Sequence, residues 1–429
     1  MGAKPGEPLI IQPTGPIRAA IEAPPSKSLT IRALAAAALA GGRSIIRRPL
    51  ACDDTDRMAA GIDALGFAVS RSPGTIEVEG LGGIVPAAGV DLDLGDAGTP
   101  MRLLTAICCL GRGRFVLDGS DRMRRRPMGD LIRALASLGI GIRSVRGDGS
   151  PPIAVEAAGF PGGPVRLEGS VSSQFLSALL MIGPCGTSDL EIDLEGDPVS
   201  RPYVDLTIGM MRRFGARVEK EGSRFRVAAG RPYEKSDIFI EGDASSASYW
   251  FAAAAVTGGI VRVTGIPSGS EQGDLRFLEA LESMGCDVRR GEDDAEVRGG
   301  PLTGIDADLG DMPDVAPTLA SAALFAEGPT TVRGVAHLRH KESDRIEGIA
   351  ACARALGARV ETRNDGFVIH PPAGGVRGGD VDPRGDHRLA MAFAIAGLRA
   401  EGVRILDPGC VSKSYPDFFD RLRDLIGSR

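Results

Sequence analysis

The chain has 429 residues, 43% hydrophobic and 25% charged, a composition that predicts a globular protein of two or three domains. A formal net charge of −6 argues against a general nucleic-acid or membrane-surface binder, which would carry a basic excess. Seven cysteines without a CxxC pair and four scattered histidines argue against a disulfide framework and a transition-metal site. Met1 to Gly6 hold no apolar signal core and no run reaches membrane-spanning length, so a cytoplasmic monomer with free thiols is expected.

In chain order, the first predicted helix follows Ser26-Lys27-Ser28 and runs through a stretch of small apolar residues, Leu29 to Ala40. The same event recurs at Gly98-Thr99, Ser172-Ser173-Gln174, Ser245-Ser246, Asp314 and Asp386-His387-Arg388, at intervals of 69 to 74 residues. A glycine closing a second helix follows each start by 40 to 43 residues, at Gly66, Gly139, Gly215, Gly285, Gly357 and Gly427. Two markers in register define six repeats.

Within a repeat the first helix is apolar nearly all round, which predicts burial on every side. A glycine break and a short β-branched strand follow, as in Gly41-Gly42 and Ser44 to Ile46. Next comes an amphipathic helix such as Asp274 to Leu281, then two strands joined by a polar turn, as at 67–69 and 75–78. With a strand before each polar cluster (Val90 to Leu94, Asp237 to Ile240), the repeat reads βαβαββ. The predicted fold class is α/β (α+β), three repeats to a domain, with the break near residue 240.

The polar clusters have two readings. Ser, Thr and Asp are preferred helix N-caps, which would account for Ser28, Thr99 or Ser245 without chemistry. Lys27, Gln174, His387 and Arg388 are not caps, and cations at helix N-termini mark anion sites. The chain uses 44 arginines but only six lysines, and three of those lie in short polar motifs, at Lys27, Lys341 and Lys413. A compact ammonium with a tunable pKa is not interchangeable with the arginine fork. Arg122-Met123-Arg124-Arg125-Arg126-Pro127, Ser200-Arg201-Pro202-Tyr203 and His340-Lys341-Glu342-Ser343-Asp344-Arg345 are further dense motifs beside the repeat junctions.

These motifs carry a resemblance. Ser-Lys-Ser-x-x-x-Arg at 26–32, Ala-Gly-Thr at 97–99, Arg-Met-x-x-Arg-Pro at 122–127 and Ser-Ser-Gln at 172–174 match in order. Ser-x-Pro-Tyr at 200–203, Gly-Asp-Ala-Ser-Ser-Ala-Ser-Tyr at 242–249, Asp314, Lys-Glu-Ser-Asp-Arg at 341–345, Asp-His-Arg at 386–388 and Lys413 continue the series. Along nearly its whole length the chain resembles the 5-enolpyruvylshikimate-3-phosphate synthases, the enolpyruvyl transferases that glyphosate inhibits. The resemblance implies transfer of the enolpyruvyl group of phosphoenolpyruvate to the 5-hydroxyl of shikimate 3-phosphate, by addition and elimination, with release of phosphate. It implies two similar domains around buried parallel helices, 24–240 and 1–23 with 241–429, with crossovers at Glu22 to Pro25 and Ile240 to Asp243 as hinges. No cofactor or metal is needed, and the partners are two small anions.

Carried over by position, the resemblance puts Lys27, Ser28, Arg32, Ser172, Ser173, Gln174, Ser200, Tyr203, Asp314, His337 and Lys341 against shikimate 3-phosphate. Lys27, Gly98, Arg126, Gln174, Arg345, Arg388 and Lys413 would hold phosphoenolpyruvate. Asp314 is the candidate base for the 5-hydroxyl, Glu342 with Lys27 and Lys413 serves the methylene carbon, and His387 is a lesser catalytic candidate. The related UDP-N-acetylglucosamine transferases typically carry a Cys in the loop at 119–130, which here has none. A non-catalytic anion-binding paralogue would be expected to lose the acid/base set, which is present.

Three positions depart from the common pattern: Asp96 for Asn, His337 for Asn and Leu103 for Pro. A carboxylate at 96 adds negative charge near an anionic substrate unless a cation such as Arg102 offsets it. Asp96→Asn is therefore predicted to lower the KM for phosphoenolpyruvate or to strengthen glyphosate inhibition. Steady-state kinetics unchanged in both respects would refute this.

Overall fold

The computed structural model describes residues 7–169, 172–196 and 199–427; the N-terminal stretch Met1 to Gly6, read above for a signal core, lies outside them. The chain divides into two compact units, Pro25–Ile240 and Met1–Pro24 with Glu241–Arg429.

The middle repeat of Pro25–Ile240 displays the design. Asp91–Asp93 runs parallel to Arg112–Asp118, which pairs antiparallel with Ile153–Ala158, itself hairpinned to Gly141–Ser144. Parallel neighbours need a crossover, and the buried helix Gly98–Cys108 supplies it. The second helix, Gly129–Ser137, then leads into the hairpin. Among the described residues, five of the six sheets have four strands in this arrangement.

Strand partnership differs from the sequence reading at one place. Asp237–Phe239 does not open the repeat at Ser245; it pairs parallel with Gly41–Arg47 and so belongs to the repeat that starts at Ser26. The strand serving helix Ala244–Thr257 is Arg18–Glu22, which pairs parallel with Ile260–Thr264. Local pattern defines a strand, but a parallel partner lies across a crossover and leaves no local mark. The sixth repeat departs too. Its sheet has three strands, with Leu9–Ile10 antiparallel to Val403–Ile405 where the others have a hairpin. The five glycines from Gly66 to Gly357 have φ of 83° to 106°, the left-handed conformation of a C-cap. Gly427 instead ends helix Phe418–Gly427.

The helix Lys27–Leu39 is buried from Leu29 to Leu39, as its all-round apolarity predicts. Its alanines at 33 and 35–38 let it pack beside Gly98–Cys108 within one core. In the other unit Ala244–Thr257, Ala316–Ala323 and His387–Ala396 pack on one another in the same way. The hairpin strand Thr75–Leu81 crosses the end of helix Lys27–Leu39 so closely that a Cβ on Gly80 would overlap the carbonyl oxygens of Ala37 and Ala40. Gly299 faces Ala254 likewise in the fourth repeat. Backbone atoms cannot move aside, so Gly80→Ala is predicted to destabilise the protein by about 1–3 kcal/mol. A urea midpoint equal to that of the parent would contradict this packing.

Candidate active site

Each unit gathers its polar motifs at the mouths of its buried helices. In the unit containing 241–429 the centre is Arg345, 1% exposed, at the start of helix Arg345–Ala355. A buried guanidinium must be neutralised and its donors satisfied. Asp386 does most of this in a bidentate pair, Nε to Oδ2 at 2.8 Å and Nη2 to Oδ1 at 3.2 Å. Arg345 Nη2 also donates to Glu342 Oε2 at 2.7 Å, and Nη1 to Asp314 Oδ1 at 3.1 Å. The other Asp314 oxygen accepts from Arg388 Nη2 at 2.7 Å. Lys413 Nζ lies 4.0 Å from Glu342 Oε1.

Asp386 also caps helix His387–Ala396 by accepting from the Arg388 amide at 3.0 Å. One carboxylate thus orients both Arg345 and the helix that presents Arg388. Burial pushes the Asp314 carboxyl up, but Arg388, Lys341 and Arg345 outweigh it and hold the group well below the usual carboxylate range. Asp314 is therefore an ionised carboxylate clamped between two guanidiniums.

His337 lies in the turn Ala336–His340 and is 6% exposed. Burial first, and then the charge of Lys341, lower its pKa from 6.5 to about 3, so it is neutral in the fold. His387, expected among the catalytic groups, is 1% exposed, with Nδ1 3.9 Å from Asp386 Oδ1.

In Pro25–Ile240 the half-buried Lys27 opens helix Lys27–Leu39, and its Nζ donates to Asp54 Oδ2 at 3.0 Å. Asp54 lies in the acidic first turn of helix Asp53–Ala64, and no sequence signal singled it out. Half-buried Ser28 follows Lys27. Arg32 is 2% exposed and donates to Ser28 O, Thr207 Oγ1 and Tyr203 O at 2.8 to 3.1 Å. Burial lowers its pKa to about 10 against the opposing pull of Tyr203, and its guanidinium braces helix Lys27–Leu39 against helix Arg201–Arg213. Gly98 is placed so that a Cβ would meet the Arg126 guanidinium and displace it from its present position.

The hydroxyl of Ser172 accepts from the Gln174 amide at 3.3 Å, and Ser173 and Gln174 stand half-buried in the first turn of helix Ser173–Ile182. Ser200 occupies the position before helix Arg201–Arg213 in the left-handed region, φ 55°, a strained conformation for a non-glycine residue. Asp96 accepts a hydrogen bond from Ser120, while Arg102 donates to the carbonyls of Gly98 and Pro127.

Capping explains Ser26, Ser172, Asp243 and Asp386, whose side chains accept amide hydrogen bonds. It does not explain Ser28, Thr99 or Ser245, the residues to which the sequence reading assigned it. The cap position precedes the first helical residue and lies two positions before the expected one, at Ser26, Ala97 and Asp243. Among the described residues, no cluster of three or more His, Cys, Asp or Glu side chains is placed to hold a metal ion.

Two compact units, each of three repeats around buried helices with cationic mouths, define the enolpyruvyl transferase fold. The enolpyruvyl transferase NikO from Streptomyces tendae has that fold, with a TM-score of 0.79, 20% identity and 98% of each chain covered. An EPSP synthase from Acinetobacter baumannii superimposes with a TM-score of 0.80 at 26% identity, over 97% of each chain. The sequence profile of EPSP synthase (3-phosphoshikimate 1-carboxyvinyltransferase) matches residues 11–422, and the chain belongs to that family. A 3-phosphoshikimate 1-carboxyvinyltransferase of Methanoculleus marisnigri is 49% identical over 96% of this chain and 98% of its own length. One of Shewanella sp. (strain W3-18-1) is 42% identical over 98% and 99%.

The buried neutral His337 has a stability consequence. Its folded pKa lies below its unfolded value, so as pH falls the unfolded chain takes the proton first. The stability it contributes is complete above about pH 6.5 and is lost as pH falls towards 3. Between pH 7 and 5 the parent should lose roughly 1–2 kcal/mol more stability than His337→Asn. Equal losses in urea titrations at the two pH values would exclude His337 as the titrating group.

Proposed function

We propose that this protein transfers the enolpyruvyl group of phosphoenolpyruvate to the 5-hydroxyl of shikimate 3-phosphate and releases phosphate, as its family membership implies. The observation that carries the mechanism is Asp314, ionised and hydrogen-bonded to both Arg345 and Arg388. These two guanidiniums are the groups assigned to phosphoenolpyruvate. When an anionic substrate draws on the same donors, Asp314 loses stabilisation of its charge and its proton affinity rises. The carboxylate then becomes a competent base when the substrate that needs it is bound.

In the addition step the hydroxyl O–H breaks and its proton passes to Asp314. The oxygen attacks the substituted vinyl carbon while the methylene carbon gains a proton. Elimination removes a proton from that carbon and expels phosphate. Glu342 is oriented for this traffic by Arg345 Nη2 at 2.7 Å, with Lys413 4.0 Å from its other oxygen. Lys27, ion-paired with Asp54, is the corresponding group of the other unit. Ser28, Ser172, Ser173, Gln174, Ser200, Tyr203, His337 and Lys341 are assigned to shikimate 3-phosphate, and Arg32 braces the backbone of Ser28 and Tyr203. The residues assigned to phosphoenolpyruvate are Lys27, Gly98, Arg126 and Gln174 in one unit and Arg345, Arg388 and Lys413 in the other.

The UDP-N-acetylglucosamine reading is disfavoured by the Cys-free loop at 119–130, whose short 3-10 turn Met123–Arg125 carries arginines. The proposed protein is a cytoplasmic monomer with small anions as its partners; the net charge of −6 disfavours a nucleic-acid or membrane surface. Phosphate release should require both shikimate 3-phosphate and phosphoenolpyruvate, and no turnover with that pair would overturn the assignment. Lys27→Arg and Lys413→Arg should each lower kcat by about 10²-fold or more although charge is kept. Wild-type turnover in either variant would make the choice of lysine there incidental.

A further inference from the structure

Three buried polar side chains stand among apolar neighbours in the helices of Pro25–Ile240: Arg32 at 2% exposed, Ser177 at 1% and Thr207 at 0%. Each follows by four residues a half-buried residue assigned to shikimate 3-phosphate: Ser28 precedes Arg32, Ser173 precedes Ser177, and Tyr203 precedes Thr207. Residues four apart share a helix face, so each member of the trio lies about one turn inside a substrate residue. Helix Arg201–Arg213 packs against both Lys27–Leu39 and Ser173–Ile182, which brings the three side chains together. Arg32 Nε donates to Thr207 Oγ1 at 2.8 Å, and Ser177 Oγ lies 2.8 Å from the same oxygen. Thr207 itself donates to Tyr203 O at 2.9 Å. A threonine hydroxyl has one proton and two lone pairs. With its proton on Tyr203 O, Thr207 accepts from both Arg32 and Ser177, and its hydrogen-bonding capacity is filled.

A bond from a helical threonine to the carbonyl four residues back is common and needs no partner from elsewhere. The other two contacts come from two different helices, and buried hydroxyls and guanidiniums are costly unless such partners satisfy them. Arg32 places its remaining nitrogens on Ser28 O at 3.0 Å and Tyr203 O at 3.1 Å, the backbone of two of the substrate residues. We propose that Thr207 is a positioning residue for shikimate 3-phosphate, a role that rests on the assignment of Ser28, Ser173 and Tyr203 to that substrate. By holding Arg32 and Ser177 at one oxygen it locks three helices together one turn inside their mouths. Arg32 Nε carries a single hydrogen, so without Thr207 Oγ1 a buried donor on a charged group loses its acceptor. The guanidinium must then turn, and its hold on the carbonyls of Ser28 and Tyr203 is lost. None of these bonds reaches Gly98, Arg126, Arg345, Arg388 or Lys413, the residues assigned to phosphoenolpyruvate alone.

The test is the steady-state KM of the full chain for each substrate with the other saturating, followed by phosphate release. Thr207→Val keeps the branched shape and removes the hydroxyl. It should raise the KM for shikimate 3-phosphate about tenfold, with the KM for phosphoenolpyruvate within about twofold and kcat within about threefold. Thr207→Ser keeps the hydroxyl and should stay within about twofold of the parent in all three. An unchanged KM for shikimate 3-phosphate in folded Thr207→Val, an equal rise in both KM values, or a Thr207→Ser variant as impaired as Thr207→Val overturns the proposal. If Thr207→Val does not fold, Ser177→Ala decides: it should raise the KM for shikimate 3-phosphate alone by about threefold, and no rise overturns the proposal. The double variant Ser173→Ala, Tyr203→Phe tests the underlying assignment. If its KM for shikimate 3-phosphate stays within about twofold of the parent, that substrate does not bind at these mouths, and the assignment fails together with the role of Thr207. If that KM rises while Thr207→Val leaves it unchanged, the assignment stands and the role of Thr207 alone fails.

Discussion

A guanidinium buried to 1% exposure must be surrounded by acceptors, and the organisation of the unit containing 241–429 follows from how Arg345 meets that requirement. Its three carboxylate partners come from three stretches of chain: Asp386 from a helix cap, Asp314 from the turn before a buried helix, Glu342 from the loop before Arg345 itself. Removing any one would leave a buried charge short of a partner, at a cost of several kcal/mol. The same contacts orient Asp314 and Glu342, the groups proposed to move protons. Structural neutrality and chemical readiness are met by one set of bonds.

The second unit solves a smaller version of the problem with Arg32, which uses a hydroxyl and two carbonyls instead of carboxylates. Without anionic partners its pKa falls to about 10, burial being the leading cause, whereas that of Arg345 is raised despite burial because Asp386, Glu342 and Asp314 oppose it. Arg32 thus acts as a brace, while Lys27 pairs with the Asp54 carboxylate at 3.0 Å. An ion pair with a compact ammonium can be redistributed when an anion arrives more easily than a multiply bonded guanidinium fork.

Much of this was legible beforehand. The six helix starts, the burial of Leu29 to Leu39 and the glycine caps from Gly66 to Gly357 follow from periodicity and from the φ that a C-cap demands. Asp314, Glu342, Arg345 and Arg388 were named from motifs, and the structure brings them together within one unit. Asp54, which pairs with Lys27, has no sequence signal, because an acidic residue in the first turn of a helix reads as ordinary dipole compensation.

Local chemistry by itself determined the repeat, its elements and the residue types at each helix mouth, since hydrophobic period, cap preference and glycine conformation act over a few residues. Tertiary structure alone decided which strand pairs with which and which charges share a buried space. Asp237–Phe239 joins Gly41–Arg47, and Arg18–Glu22 joins Ile260–Thr264, across more than 190 residues of chain in each case. The short turns Gly273–Arg276 and Pro313–Val315 pack together although a helix, a hairpin and a further strand separate them in sequence. Long-range pairing and burial are properties of the assembled core, and a charge takes its meaning from the dielectric around it.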